Sequence, residues 1–128
     1  MEQNDLCTQL AAILGGDARQ EDNVCTVTIR RTNMNATIAK HPMQAVNHIF
    51  YFGAPDRDGN TLITGELALL DDEVPKTVDR VTTTGIIVSA VHNHWIYDDP
   101  KLMYIHLETY TNPVTFARMM APIAKDLK

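Results

Sequence analysis

The sequence predicts an α+β fold: a single mixed, mostly antiparallel sheet with helices packed on one face. Apolar side chains recur at every second residue in several segments bounded by turn residues, which is typical of half-buried strands. In other segments they recur at spacings of three and four, which is typical of amphipathic helices. No linker or low-complexity run interrupts the 128 residues, so residues 1–128 are predicted to form one domain.

The first half of the chain is predicted to hold one helix and three extended segments. The helix runs from Leu6 to Leu14 and ends at Gly15-Gly16, where glycine supplies the C-terminal stop. Period-two alternation predicts a strand from Val24 to Arg30, and the segment from Met34 to Ala39 is expected to pair with it as a hairpin. A further strand, from Val46 to Gly53, ends before a turn at residues 55–60.

The second half begins with a strand, a helix and another strand. The first strand is Thr61 to Leu70, and Asp71-Asp72 offers an N-cap for a helix that ends at Gly85. The next strand begins at Ile86. This order implies two parallel strands joined by a right-handed crossover.

An antiparallel strand and a terminal helix complete the predicted elements. A turn at Asp98-Asp99-Pro100 leads into a strand from Leu102 to Thr109. Asn112-Pro113 is an N-cap followed by a first-turn proline, and it opens a helix to Lys128. Pro122 lies inside that helix and is expected to kink or split it.

Composition excludes several classes of partner and predicts a location. Eleven basic residues against sixteen acidic ones give a net charge of −5, which argues against nucleic acid or an anionic membrane as the main partner. Neither nucleic acid nor membrane is therefore predicted as a partner. The polar start of the chain lacks the features of a secretory signal, so a cytoplasmic location is predicted. Cys7 and Cys25 both fall on apolar patterns, and we expect buried, reduced thiols in a reducing compartment.

Three of the five histidines are predicted to share one face of the sheet. His92 and His94 are two residues apart in a strand, so they point the same way. If residues 98–100 form the turn, facing residues sum to about 198, and His106 lies opposite His92, with Glu108 opposite Ala90. The other face then collects five apolar residues, which supports this register: Ile87, Val91, Met103, Ile105 and Leu107.

A carboxylate from the preceding strand is expected on the same face. The apolar side chains of that strand, Ile63, Leu67 and Leu69, leave Glu66 on the opposite side. Glu66 joins the histidines if the two parallel strands are neighbours.

These residue types predict a divalent metal site. Neutral imidazoles suit first-row metals and a carboxylate can complete the shell, so His92, His94, His106 and Glu66 are the expected ligands, with zinc first. Glu66 or Glu108 would act as the catalytic carboxylate of a metal-dependent hydrolase or lyase on an unidentified small molecule.

Other interpretations stay open. The histidines of a hairpin can be ordinary hydrogen-bonded surface residues. The same face could serve a non-catalytic small-ligand-binding or sensor module, or it could pack against a second copy in a structural homo-oligomer. His48 is a reserve ligand, although packing is the simpler expectation for it, and Arg30-Arg31 is expected at an exposed strand end.

The residues of the histidine segment resemble a known family. Gly85 to His94, then Pro100 to His106, together with Gly65-Glu66-Leu67 and Val27 to Thr32, are similar to the LppY/LpqO family of bacterial proteins. The resemblance covers most of the chain. It implies that His92, His94, His106 and Glu66 are family features, and it supplies neither an activity nor a substrate, because the family is a domain of unknown function.

Overall fold

A computed structural model describes residues 3–127; the predicted helix end at Lys128 therefore lies outside the described residues. It confirms the α+β fold, in which a mostly antiparallel sheet carries helices on one face. The three helices are α1 (Gln3–Leu14), α2 (Val74–Thr83) and α3 (Pro113–Lys125). The strands are β1 (Asp17–Glu21), β2 (Val24–Arg30), β3 (Thr37–Ile38), β4 (His41–Pro42), β5 (Asn47–Phe52), β6 (Thr61–Leu70), β7 (Ile87–Asn93), β8 (Asp98–Asp99) and β9 (Leu102–Thr111).

Six strands form the main sheet in the order β1-β2-β5-β6-β9-β7, and β4-β3-β8 form a second, small sheet. Every strand pair within the described residues is antiparallel. The helices cover one face of the main sheet. Ala36 and Val46, from the chain around the small sheet, pack on part of the other face, against Ala68, Leu102 and Tyr104.

Three of the predicted helix boundaries depend on local chemistry and are confirmed. Gly15, with a φ of 80°, ends α1, and its amide donates to the Ala11 carbonyl at 2.8 Å. Gly85, with a φ of 90°, follows α2 in the same way. Asn112 caps α3 by accepting a hydrogen bond from the Thr115 amide at 3.1 Å. Pro122 lies within α3 and does not split it.

The core lies between the main sheet and the three helices. The predicted apolar face of β6 is confirmed, because Ile63, Leu67 and Leu69 are fully buried there. The ring of Phe116 in α3 packs edge-to-face against Phe50 and Phe52 of β5, with centroids 5.7 Å apart in both pairs. The buried side chains of this sheet face anchor the strands, so the opposite face is free to carry polar groups.

The prediction of reduced thiols is wrong. Cys7 of α1 and Cys25 of β2 are joined in a disulfide, with Cα atoms 5.6 Å apart. Both residues are buried, as their apolar pattern predicted, but burial of each thiol does not reveal that the two meet. The disulfide also removes the support that reduced thiols gave to a cytoplasmic location, since disulfides persist mainly in oxidising compartments.

Two predicted strand pairings are wrong. The segment from Met34 to Ala39 does not form a hairpin with β2; its Thr37–Ile38 portion joins the small sheet, and β2 pairs with β1 and β5. The strands β6 and β7 are not neighbours, because β9 lies between them and pairs antiparallel with both. Since β1 is polar and short, the sequence pattern did not show the strand that occupies that edge of β2.

Arg31 is buried, not at an exposed strand end. Its side chain forms an ion pair with Glu73, Nη1 to Oε1 at 2.7 Å, and it donates to the Ala68 carbonyl at 2.9 Å. Glu73 also accepts from the Leu70 amide at 2.7 Å, so this carboxylate, not Asp71-Asp72, takes up a backbone donor at the start of the turn before α2. The pair joins the end of β2 to the beginning of α2.

Candidate metal centre

The histidine face is built on β6, β9 and β7. In the ladder between β6 and β9, Glu66 lies directly opposite His106. On the other side of β9, His106 is opposite Ala90, and Tyr104 is opposite His92. Residues paired across antiparallel strands share a face, so Glu66, His106 and His92 all lie on the face away from the helices.

The predicted hairpin register is wrong by two residues, and its face assignment is right. His106 pairs with Ala90 and not with His92. The connection between β7 and β9 spans residues 94–101 and includes β8, so the two strands are not joined by the tight turn assumed at residues 98–100. A shift of two preserves the side on which each residue points. A bulge between Val88 and Ala90 puts Ile87 opposite Glu108 on the open face, so Val88 packs against the core where Ile87 was expected.

The three predicted histidine ligands converge. His92, His94 and His106 each offer a ring nitrogen, and these atoms all lie within 4.8 Å of one another. The ring centroids of His92 and His106 are 4.8 Å apart, and those of His92 and His94 are 5.2 Å apart. Nitrogen ligands about 2.0–2.1 Å from a tetrahedral ion are roughly 3.4 Å from each other. The most widely separated of these nitrogens would therefore have to move closer together to bind one tetrahedral ion.

Tyr104 supports the one histidine that lies beyond the end of its strand. β7 ends at Asn93, and the ring of His94 stacks on Tyr104 with centroids 3.7 Å apart and planes 8° from parallel. Partial burial lowers the pKa of His94; the charge of Glu66 raises it, and His92 and His106 lower it further. Burial also raises the pKa of the Tyr104 phenol, with Glu66 and Asp98 acting in the same sense. Both effects favour neutral rings at neutral pH, and neutral imidazole is the form that binds metals.

The two predicted carboxylates occupy different positions. Glu66 Oε2 lies 4.0 Å from His106 Nε2, and the Glu66 side chain is only 20% exposed. Glu108 is exposed and lies two residues beyond His106 on the same face of β9. The structure thus places Glu66 beside the histidines and Glu108 farther along the strand.

A groove of about 420 Å³ lies beside His106 on the open face. Glu66, His106 and Glu108 line it together with Tyr51, Thr64 and Ser89. The alternation of β6 places Thr64 on the same face as Glu66, as predicted from the sequence. Sequence analysis missed Tyr51 and Ser89, whose positions depend on the strand order and the bulge.

His48 belongs to a separate, buried network and does not join the cluster. It is 1% exposed, and its Nδ1 accepts a hydrogen bond from the Ala68 amide at 3.0 Å. Burial, with the charge of Arg31 adding to it, lowers the pKa of His48 to about 4. This confirms packing as the role of His48. The ring and the Arg31 guanidinium bind the amide and the carbonyl of Ala68 where the pairing of β5 with β6 ends.

The cluster of three histidines could hold a metal ion. Three imidazoles supply nitrogen ligands, and a partly buried carboxylate stands beside one of them. Such a set is typical of catalytic sites that retain a position for water or substrate. Because the centre lies on a sheet face and not on loops alone, the strands position most of its ligands.

Comparison with known proteins identifies a family and no characterised relative. A family model described as "Domain of Unknown Function (DUF1259)" matches residues 8–125, which is most of the chain. No curated protein and no solved structure matches the sequence or the fold. None of the helices within residues 3–127 has the length and apolar character needed to cross a membrane.

Proposed function

Because the chain belongs to the DUF1259 family, whose description names no function, we propose from the site's geometry that it binds one divalent first-row metal ion. His92, His94 and His106 are the proposed ligands, and zinc is the first expected ion because imidazole nitrogen suits it and no redox chemistry is required. The similarity to the LppY/LpqO family is part of this proposal. That similarity rests on the histidine segment together with Gly65-Glu66-Leu67 and Val27 to Thr32.

The observation that carries the proposal is the convergence of three ring nitrogens within 4.8 Å on an open sheet face. Three histidines drawn from five in the whole sequence meet there. Their neighbours support the neutral, ligating form, since partial burial lowers the pKa of His94 and Tyr104 holds its ring by stacking.

We propose that the site is that of a hydrolase or lyase acting on a small molecule. A bound divalent ion supplies a coordinated water whose pKa is lowered toward about 7. Glu66, 20% exposed and 4.0 Å from His106, is positioned to be a fourth ligand or to accept a proton as general base. Glu108, Thr64 and Ser89 line the groove in which a substrate would lie.

Metal analysis of protein purified without a histidine tag or chelator tests the proposal. We expect about one ion per chain, because the cluster offers one set of nitrogen ligands. His94→Ala should lower the metal content. The control is His41→Ala, since His41 is exposed in β4 and lies outside the cluster. A chain that stays empty when zinc, iron, manganese, nickel and copper are each offered would refute metal binding.

A second candidate function is assembly of a homo-oligomer through the open face. Four large side chains on this face are 43–60% exposed: Tyr51, Leu62, Ile87 and Tyr110. Exposed apolar groups of this size favour contact with another surface. Light scattering in the presence of chelator distinguishes the two functions, since a dimer that persists without metal and is lost in Leu62→Asp would favour assembly. A ligand-dependent rise in melting temperature without turnover would instead favour a non-catalytic binding module.

A further inference from the structure

His94 is the one proposed metal ligand that lies outside a strand. His92 lies within β7 and His106 within β9, whereas β7 ends at Asn93 and the connection to β8 begins at His94. Stacking on Tyr104 restrains the imidazole ring of His94, but a ligand is held only as firmly as the backbone that carries it. The position of this ligand therefore depends on the connection between β7 and β8.

Two side chains hold the carbonyl group of the residue directly after His94. The Trp95 carbonyl accepts a hydrogen bond from the side-chain amide of Asn93 at 3.0 Å and another from Nζ of Lys101, also at 3.0 Å. Nζ of Lys101 donates in addition to the carbonyl of Ile96 at 3.3 Å. The backbone of His94 thus lies between the last residue of β7 and a carbonyl group that is bonded twice.

Lys101 is itself fixed by a buried carboxylate. Its ammonium group forms an ion pair with Asp98, whose side chain is 0% exposed. The other carboxylate oxygen of Asp98 accepts a hydrogen bond from the Leu102 amide at 2.8 Å, and Leu102 is the first residue of β9. The ion pair therefore connects the backbone beside His94 to the strand that carries His106.

We propose that Lys101 is a positioning residue of the metal centre, which places His94 beside the other two histidines; this inference rests on the proposed metal-binding function. A lysine ammonium has three donors and no acceptor, so it cannot itself be a ligand. Its contacts are Asp98 and the carbonyls of Trp95 and Ile96, and it acts on the imidazole only through the backbone of His94. Side chains that orient metal ligands change the metal affinity about 10–100-fold when they are removed.

A role in positioning and a role in fold stability alone make different predictions. If Lys101 positions His94, its contribution to the metal affinity disappears once the imidazole is removed, because no ligand is left to place. If Lys101 only stabilises the fold, its removal has the same effect on the affinity with and without the imidazole. A double-mutant cycle between Lys101 and His94 separates the two roles.

The cycle uses the full-length protein, and the zinc affinity is measured by competition with a chelator at neutral pH. Lys101→Met should lower the affinity of the wild-type chain about tenfold. In the His94→Ala background, the same substitution should change the affinity by no more than about twofold. Lys76→Met is the matched control, because Lys76 is exposed in α2 and that helix packs on the other face of the sheet. It should leave the zinc affinity unchanged in both backgrounds.

A second variant leaves the ion pair of Lys101 and Asp98 intact. Lys101→Met removes the cation from a buried carboxylate, which is strongly destabilising. Asn93→Ala removes only the other donor to the Trp95 carbonyl, and Asn93 is exposed. We expect a smaller loss of zinc affinity that again requires His94. The visible absorption of the cobalt-substituted protein, which reports ligand number and geometry, should shift in both variants toward that of His94→Ala.

The outcomes distinguish this inference from the proposed function. A wild-type chain that binds neither zinc nor cobalt overturns both. If the wild-type chain binds zinc and both variants bind it as tightly, Lys101 does not position His94. A loss of affinity that is equally large in the His94→Ala background also overturns the positioning role, and the Asn93→Ala cycle alone decides if Lys101→Met does not fold.

Discussion

His106 and Ile105 are adjacent in β9 and should respond to alanine substitution in opposite ways. His106 lies on the open face with a side chain that is 38% exposed, and Ile105 lies on the helix face and is 0% exposed. Successive residues of a strand point to opposite faces, so the two substitutions test the face assignment directly.

His106→Ala removes one of three imidazoles and little else. The metal affinity should fall at least about tenfold, which corresponds to about 1.4 kcal/mol of binding free energy. The free energy of unfolding of the metal-free protein should change by less than about 1 kcal/mol, because His106 is half-buried on the open face and lies outside both hydrophobic clusters of the core.

Ile105→Ala removes buried methyl groups from the core beside the helices. A fully buried isoleucine truncated to alanine costs about 2–5 kcal/mol of unfolding free energy, depending on how far the cavity collapses. The folded fraction should still bind metal with unchanged affinity, because the strand ladder that positions His106 is maintained by its backbone hydrogen bonds.

The assays are competition of the protein with a zinc chelator at neutral pH, and urea denaturation of the metal-free protein. The reasoning is refuted if Ile105→Ala abolishes metal binding in a folded protein while His106→Ala leaves the affinity unchanged. That outcome would mean that β9 is displaced by one residue and that the histidine face is misassigned.

Three further predictions concern the fold around the site. Reduction of the Cys7–Cys25 disulfide should lower the free energy of unfolding by about 3 kcal/mol, measured by urea denaturation with and without reductant, and should leave metal content unchanged. Burial, helped by Arg31, lowers the pKa of His48 from 6.5 to about 4, so the unfolded chain alone gains a proton as the pH falls across this range. Stability should therefore fall by about 3 kcal/mol between pH 6.5 and 4, and His48→Asn should reduce that dependence in pH-dependent melts. Glu73→Ala should cost about 3–5 kcal/mol in urea denaturation, because it leaves the buried Arg31 without its carboxylate; a loss below 1 kcal/mol would show that the pair is not needed.

Much of the fold could be predicted because the information is local. The bounds of β2 and β6 agree with the alternation of their side chains, and Gly15, Gly85 and Asn112 mark the helix ends through backbone conformation or capping. These features depend on residues close together in the chain. A pattern within one segment is therefore enough to indicate them.

The candidate site could be predicted to the level of which face each residue occupies. His92 and His106 were placed on one face by parity, and the two-residue error in register did not alter this, since a strand repeats every two residues. Glu66 was placed there by assuming that β6 and β7 are neighbours. It reaches the same face through β9, because every strand of a sheet shares its two faces.

What the sequence by itself determined is the α+β class, the extent of the longer strands and helices, and the polar face that carries the histidines. Only the tertiary structure decided the order of the strands, the bulge that moves Ile87 to the open face, the burial of Arg31 and the disulfide. The physical reason is the separation in sequence between the residues that determine each feature. Periodicity and caps act within a few residues, whereas Cys7 meets Cys25 across 18 residues and Arg31 reaches Glu73 across 42. Contacts of that kind depend on how the whole core packs, and no single segment contains their signal.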